Sequence, residues 1–493
     1  MTAYQKLVVH AQKISRFEHL SAICGWDQAA VMPSGGSNAR AEAMADLQVH
    51  IHQLLTQPQI KDWIDEAQSM VLSTQQTSVL KEISRQWQNA NILPDSLVEA
   101  KSLAGAKCEH AWRDQRKNND WQGFSKNWAE VVTLSQEEAQ IRAEATGLSK
   151  YDAMMQLYEP DQNSTSLDRI FSSVKSWLPA LIEHAIEKQS SDTIVFPNGH
   201  YSIERQKKLG LQVMKTLGFN FDHGRLDESI HPFCGGVPTD VRITTRYNTN
   251  EFVQSLMGIV HETGHARYEQ GLPIDFAGTP AGQARSMGIH ESQSLFFEMQ
   301  VGRNPAFIAH LAQLARQHFN SLNNPVFETS NFIKMYTRVT KGLIRVDADE
   351  VTYPAHVILR YEIERDLING SIGYQDVPEL WHLKMSESLG ISTEGNYTNG
   401  CMQDIHWTDG SFGYFPSYTL GAMYAAQFMA AMKKTVDVDA AIASKDLSPI
   451  FNWLSENIWR KGSLLTTDEL VKTATGETLN AEHFQAHLRS RYL

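Results

Sequence analysis

Apolar residues recur at helical spacing along almost the whole chain, and that pattern confines it to folds built from packed helices. Residues 4–24 place Leu7, Val8, Ala11, Ile14 and Phe17 close to a 3.6-residue period. The stretch MPSGGSN at 32–38 interrupts the pattern, Ala39 to Leu55 resumes it, and further helical segments fill about 59–148. Strand signals are few. Ile194, Val195 and Phe196 run into a Pro197-Asn198-Gly199 turn, and residues 240–247 (DVRITTRY) alternate Val241, Ile243 and Thr245 with polar neighbours. Helices return from 251 and run nearly to Leu493. Gly and Pro cluster at 232–238, 271–288 and 395–421, read as loops inside one body. With no internal repeat or long linker, the expectation is a mainly α chain: a single domain over 1–493, with a movable N-terminal helical layer within about 1–100.

Composition narrows the function. Lys+Arg 44 against Asp+Glu 56 leaves a net charge of −12. That disfavours a nucleic-acid binder or a basic membrane-surface protein, both of which need a cationic face. The four cysteines, Cys24, Cys108, Cys234 and Cys401, form no CxxC pair, so neither a disulfide framework nor a thiolate zinc site is expected. No signal-peptide core opens the chain, and the most apolar stretch, Leu420 to Met432, is too short to span a bilayer and contains Gln427. A soluble cytoplasmic protein is expected.

The chemistry lies in HETGH at 261–265. On a helix, His261 and His265 share a face and can point at one ion, and neutral imidazoles suit Zn²⁺. Glu262 is offset by about 100° from the first histidine, so it can reach an activated water without binding the metal. Zinc lowers the pKa of such a water to around 7, and the carboxylate can then take its proton during attack on a peptide carbonyl. HExxH occurs by chance in roughly one in twenty chains with this histidine content, so its context matters. Phe252, Leu256, Ile259 and Val260 give the helix a buried stripe, and Gly271 gives it a stop. A catalytic zinc needs a third protein ligand and an open position. Tyr268 and Gly271 stand where a metzincin would have Gly and His. The expected third ligand is therefore Glu291, on a following helix read from GIHESQSLFFEMQV at 288–301, with Glu298 and Glu269 as rivals better suited to supporting roles. His290, beside Glu291, is placed as a substrate or supporting contact.

HETGH followed by HESQ at 290–293 resembles the carboxypeptidase Taq family of zinc metallocarboxypeptidases. DVRIT at 240–244, IRVDAD at 344–349 and GCMQDIHW at 400–407 match the family patterns DxRxT, IRxxAD and GxxQDxHW, in family order over about 170 residues. WDQAAVMP at 26–33 is similar to the family's opening segment. Leu295 and Met299 depart from an expected Arg and Asn, and Cys234 from an expected Thr. The resemblance implies a helical fold like neurolysin and angiotensin-converting enzyme, a deep groove with a small β-sheet along one wall, and a homodimer. It implies removal of single residues from peptide C-termini with broad specificity, with Zn²⁺ as cofactor and Co²⁺ as a possible substitute.

A carboxypeptidase must grip a free α-carboxylate, for which the arginine fork is the best chemical choice. By resemblance that residue is Arg345, with Arg242 as runner-up unless it is tied up by Asp240. His406 and Tyr418, in the loop QDIHWTDGSFGYFPSYTLG, are the expected oxyanion donors, and Tyr414 competes with Tyr418. Gln403 and Asp404 either order that loop or bind substrate backbone, while Asp347 and Asp349 are expected to be structural. No acid stands four residues after Glu291, so the carboxylate that should orient a zinc-bound histidine is not assigned. Two other readings remain: an oligoendopeptidase or dipeptidyl carboxypeptidase on the same fold, and a non-catalytic helical peptide-binding scaffold.

Overall fold

Helix-forming Ala, Leu, Gln and Glu, with Ser, Thr, Asn and Asp at the starts, divide most of the chain into capped helices. Thr2 and Gln5 close a capping box at the first of them, and Asn163 and Ser286 accept backbone amides at two others. The computed structural model describes residues 1–230, 232–321 and 323–493. Its elements are α1 (Ala3–Ala30), α2 (Ser37–Leu55), α3 (Gln59–Gln68), α4 (Thr74–Asn91), α5 (Asp95–Lys117), α6 (Trp121–Thr146), α7 (Lys150–Met155), α8 (Ser164–Lys188) and α9 (Ile203–Thr216), then β1 (Gly224–Glu228), β2 (Cys234–Val237) and β3 (Asp240–Thr245). After these come α10 (Val253–Gly271), α11 (Met287–Leu295), α12 (Pro305–His318), α13 (Thr329–Tyr336), α14 (Tyr353–Asn369), α15 (Val377–Leu389), α16 (Pro416–Met432), α17 (Val438–Ser444), α18 (Ser448–Asn457), α19 (Thr467–Thr475) and α20 (Glu482–Tyr492). The chain is mainly α, as its patterning predicts, with the small sheet that the family resemblance implies.

Two compact units share these elements. The first comprises Met1–Ala90, Thr193–Tyr336 and Tyr424–Leu479; the second comprises Asn91–Asp192, Thr337–Met423 and Asn480–Leu493. The N-terminal layer expected over about 1–100 thus falls mostly in the first unit, which also carries HETGH.

In the first unit the sheet has the order β1-β3-β2, with β1 parallel and β2 antiparallel to β3. Val241 and Ile243 point to one face and pack with Met214, Phe219, Ile259 and Ala266, so the sheet supports the buried side of α10. Alternation sends Arg242 to the other face. There its guanidinium lies 4.3 Å from the centre of the Trp26 ring on α1 and is held by both oxygens of Asp240, at 2.9 and 3.0 Å. The strand expected at Ile194 to Phe196 does not form. Val195 instead exchanges both backbone hydrogen bonds with the Asn331 side chain, at 2.8 Å each, which satisfies the polar groups a sheet partner would have taken. Conversely, the supposed loop at 232–238 contains β2.

The apolar stretch around Leu420 to Met432 is core. Its helix is buried along most of its length, and the Gln427 amide donates to Thr475 Oγ1 and Thr478 O. Among the described residues, no helix is long and apolar enough to cross a membrane.

Candidate active site

The site in the first unit begins with two helices in backbone contact. α10 carries His261, Glu262 and His265. α11 carries His290 and Glu291 and passes at Phe296 into a π-helical turn, Phe296–Gly302. Gly264 lets them meet, because a Cβ there would stand 2.5 Å from the Gln293 carbonyl oxygen. From the second helix Glu291 reaches both imidazoles: its carboxylate oxygens lie 3.8 Å from His261 Nε2 and 3.6 Å from His265 Nε2. One donor atom from each of the three falls within 4.8 Å of the others. Two nitrogens and an oxygen at that mutual spacing form a donor set suited to Zn²⁺.

The histidines are aimed by their other ring nitrogens. His261 Nδ1 lies 2.9 Å from Glu298 Oε2, and Glu298 is itself held by Arg303 Nη2 at 2.7 Å. His265 Nδ1 lies 3.1 Å from the His290 carbonyl oxygen. The His290 ring stacks on His265 at 4.5 Å between centres and sends Nε2 to Glu269 Oε1 at 2.8 Å. Glu298 and Glu269, weighed in the sequence as rivals to Glu291, thus serve as supports. The sequence carries a signal for Glu298: it stands seven residues past Glu291, about two α-helical turns and hence the same face.

Mutual charge shapes the protonation of this cluster. Burial works against a charged His261 ring, but the hydrogen bond to Glu298 and the charges of Glu291, Glu298 and Glu262 push it up to about 9. Burial also works against ionised Glu298, yet His261 and Arg303 draw it down to about 2. Desolvation raises Glu262 to about 7, with His261 opposing and Glu291 reinforcing the shift. Glu291, Glu298 and Glu262 thus surround the two imidazoles with acidic groups, a chemistry suited to holding a divalent cation. Desolvation holds His265 far below its usual value, so its ring is neutral and able to bind metal.

The remaining expected residues meet in the second unit. Arg345 is 5% exposed. Its Nε and Nη2 donate to Asp404 Oδ1 at 3.1 and 2.8 Å, and Nη1 donates to Tyr353 Oη at 2.8 Å. Arg360 Nε reaches the other Asp404 oxygen at 2.6 Å. Burial opposes the Asp404 charge, but Arg360 and Arg345 hold the group well below the usual carboxylate range. Gln403 Oε1 accepts the Arg345 amide at 2.8 Å, while its Nε2 donates to Leu343 and Asn399 carbonyls. Of the two roles expected for Gln403, ordering the loop is the one these bonds perform. The Tyr418 ring lies 4.8 Å from the Arg345 guanidinium, and its hydroxyl is 3.2 Å from His406 Nε2. Tyr414 stacks on the His406 ring at 5.5 Å. His406 is pushed down to about 4 by desolvation and then by Arg345, so its ring is neutral. Asp349 caps the turn into α14 through Val351 N, Thr352 N and Thr352 Oγ1, the structural role expected. Glu364, one turn after Arg360, was missed. Fully buried, it accepts from Trp407 Nε1, Tyr151 Oη and Gly413 N and so fixes the loop carrying His406.

Comparisons with known proteins agree on one family. The family model for carboxypeptidase Taq (M32) metallopeptidase matches residues 6–492. Thermostable carboxypeptidase 1 of Thermus thermophilus is 34% identical over 99% of this chain and 98% of its own. Carboxypeptidase 1 of Bacillus subtilis is 32% identical over 98% and 96%. Among solved structures, Trypanosoma cruzi metallocarboxypeptidase 1 superposes with a TM-score of 0.97 at 45% identity, covering 99% of both chains. The M32 carboxypeptidase of Deinococcus radiodurans does so at 0.94 and 31%, covering 99% of this chain and 98% of that one.

Proposed function

The chain belongs to the carboxypeptidase Taq family and is a metallocarboxypeptidase, and from that premise we propose that its ion is zinc, held by His261, His265 and Glu291, with cobalt able to replace it. The observation carrying this reading is the convergence of those three side chains on one point beside a half-buried Glu262 that desolvation raises to about 7. Zinc, when bound, supplies a Lewis acid that polarises the scissile carbonyl and acidifies water.

The protein's own groups do the rest. Glu262 takes the proton of the attacking water and returns it to the leaving amine, a double role suited to a carboxyl poised near neutrality. Glu298 and the His290 carbonyl hold the two imidazoles in their ligating orientation. Arg345 grips the terminal carboxylate of the peptide. Three of its five N–H groups are engaged by Asp404 and Tyr353, leaving one each on Nη1 and Nη2 for a bidentate hold. His406 and Tyr418 donate to the developing oxyanion. His406 suits this as a neutral ring whose Nδ1 is buried with no hydrogen-bond partner among the described residues. Tyr414, stacked on His406, positions it. His290 is assigned to holding His265, with any substrate contact made from that pinned position.

Broad side-chain specificity and a homodimer, implied by the family resemblance, and the cytoplasmic location expected from the sequence belong to the same proposal. The deciding experiment is mass spectrometry of products from a set of peptides, with and without chelator and added zinc. Single C-terminal residues should be released, chelator should stop the release, and amidating the peptide terminus should abolish it. Dipeptides or internal fragments would replace this reading with a dipeptidyl carboxypeptidase or oligoendopeptidase. Glu262→Gln should keep zinc and lose nearly all turnover.

A further inference from the structure

The loop between α10 and α11, residues 272–286, ties the metal-binding helices to the N-terminal helices of the same unit at three points. At Gly278 the backbone has φ +78°, and a Cβ there would stand 3.1 Å from Gln12 Cγ on α1. Ala281 is fully buried in the apolar cluster that Leu7, Ala11, Ile60, Ile64 and Ile83 build between α1, α3 and α4. Arg285 sends Nη1 to Glu82 Oε1 on α4 at 2.9 Å and to the Leu465 carbonyl at 3.2 Å. The Arg285 and Glu82 side chains are 1% and 2% exposed.

The other end of this connection is the metal centre. The Arg285 amide donates to Tyr268 Oη at 3.2 Å, three residues past His265 on α10. The next residue, Ser286, caps the helix that carries Glu291. Charges so deeply buried are costly to desolvate, and removing one partner strands the other. We propose that Glu82 and Arg285 are positioning residues for the metal centre: their ion pair fixes the start of α11, and through it Glu291, to α4. Metal binding and the packing of α4 are then linked, and by reciprocity each stabilises the other. Neither residue touches substrate or metal. The inference rests on the metal-site reading above.

Hydrogen exchange on the full wild-type chain, stripped by chelator and then loaded with zinc, tests it. Zinc should slow exchange in residues 79–86 as well as in 287–302. Slowing that stops at the 272–286 loop overturns the coupling, and zinc that does not bind at all overturns the metal-site reading with it. Competition with a chromophoric chelator gives a second readout. Glu82→Gln should bind zinc about ten-fold more weakly. Arg85→Ala, which removes only the half-exposed partner on the other Glu82 oxygen, should stay within about two-fold of wild type. Equal affinity of Glu82→Gln and wild type refutes the proposal. If Glu82→Gln does not fold, the exchange experiment decides alone.

Discussion

Glu298 Oε2 lies 2.9 Å from His261 Nδ1, which turns the ring so that Nε2 faces Glu291 Oε1 at 3.8 Å. Removing a carboxylate that orients a ligating histidine typically costs 10- to 100-fold in metal affinity. Glu298→Ala should therefore weaken zinc binding by at least about ten-fold, read by competition with a chelator of known affinity. Affinity unchanged from wild type would mean that His261 is aimed by packing alone.

The same cluster predicts proton release. Without metal, His261 keeps its proton up to about pH 9, whereas a ligating imidazole must be neutral. At pH 7.5, zinc uptake should therefore expel about one proton from His261. Apparent affinity should rise up to about ten-fold per pH unit and level off near pH 9, because the competing proton is gone above that value. Calorimetric titration in buffers of different ionisation enthalpy measures the count. A release near zero contradicts the shift.

In the second unit, Asp404 is the shared counter-ion of two buried arginines. Asp404→Asn keeps the shape but leaves Arg345 and Arg360 uncompensated, at a cost of about 3–5 kcal/mol. The thermal midpoint of the unit should fall by roughly 10 °C. Lys107→Ala, which breaks an exposed pair with Glu130 in the same unit, should change it by about a degree at most. Equal effects of the two substitutions would count against the network.

The helical class and the facing pair of His261 and His265 could be read from the sequence because both rest on local periodicity. A 3.6-residue repeat marks a buried face, and a four-residue spacing puts His261 and His265 side by side. What could not be read depends on contacts between distant segments. Glu269 reaches His290 across 21 residues and Glu364 reaches Trp407 across 43, and no periodicity connects such pairs. The segment at 194–196 had the composition of a strand but was claimed by the Asn331 side chain. The short, Gly-rich β2 was hidden because glycine reads as loop. Arg242 and Arg345 looked alike as sequence, yet pleat alternation stacks the first on Trp26, and only the fold reveals that.

Acid stability follows from two histidines held neutral, His356 fully buried and His406 half-buried. Desolvation, reinforced by Arg360 and Arg345, holds His356 at about 3, and His406 sits at about 4. Both are depressed from an unfolded value near 6.5. Between these limits the unfolded chain binds more protons than the folded one, so stability is intact above about pH 6.5 and lost as pH falls. Each histidine contributes up to about 1.4 kcal/mol per pH unit. Urea midpoints of His356→Met, measured from pH 6.5 down to 4.5, should show a shallower pH dependence than wild type. Parallel curves would exclude His356 as a source.

Gly264 offers the sharpest test of the ligand geometry, because it isolates the helix crossing from the ligands. Its Cβ position lies 2.5 Å from the Gln293 carbonyl oxygen and 2.6 Å from Ser294 Cα. Both are backbone atoms that cannot rotate aside, so Gly264→Ala must push α10 and α11 apart. Glu291 rides on the displaced helix and both histidines on the other, whereas a binding constellation tolerates only about 0.5 Å of misplacement. Zinc affinity should fall by about ten-fold or more, in keeping with the sensitivity of metal sites to lost positioning, even though no ligand is altered. Gly258, on the same helix, has nothing within 4 Å of its Cβ position. Gly258→Ala should leave affinity intact and stabilise the helix by about 0.5–1 kcal/mol, the usual gain over glycine in a helix interior. Dissociation constants and thermal midpoints of the two variants, measured side by side, separate the crossing from general helix propensity. If both alanines weaken zinc binding alike, the close approach of α10 to α11 is not what sets the spacing of the ligands.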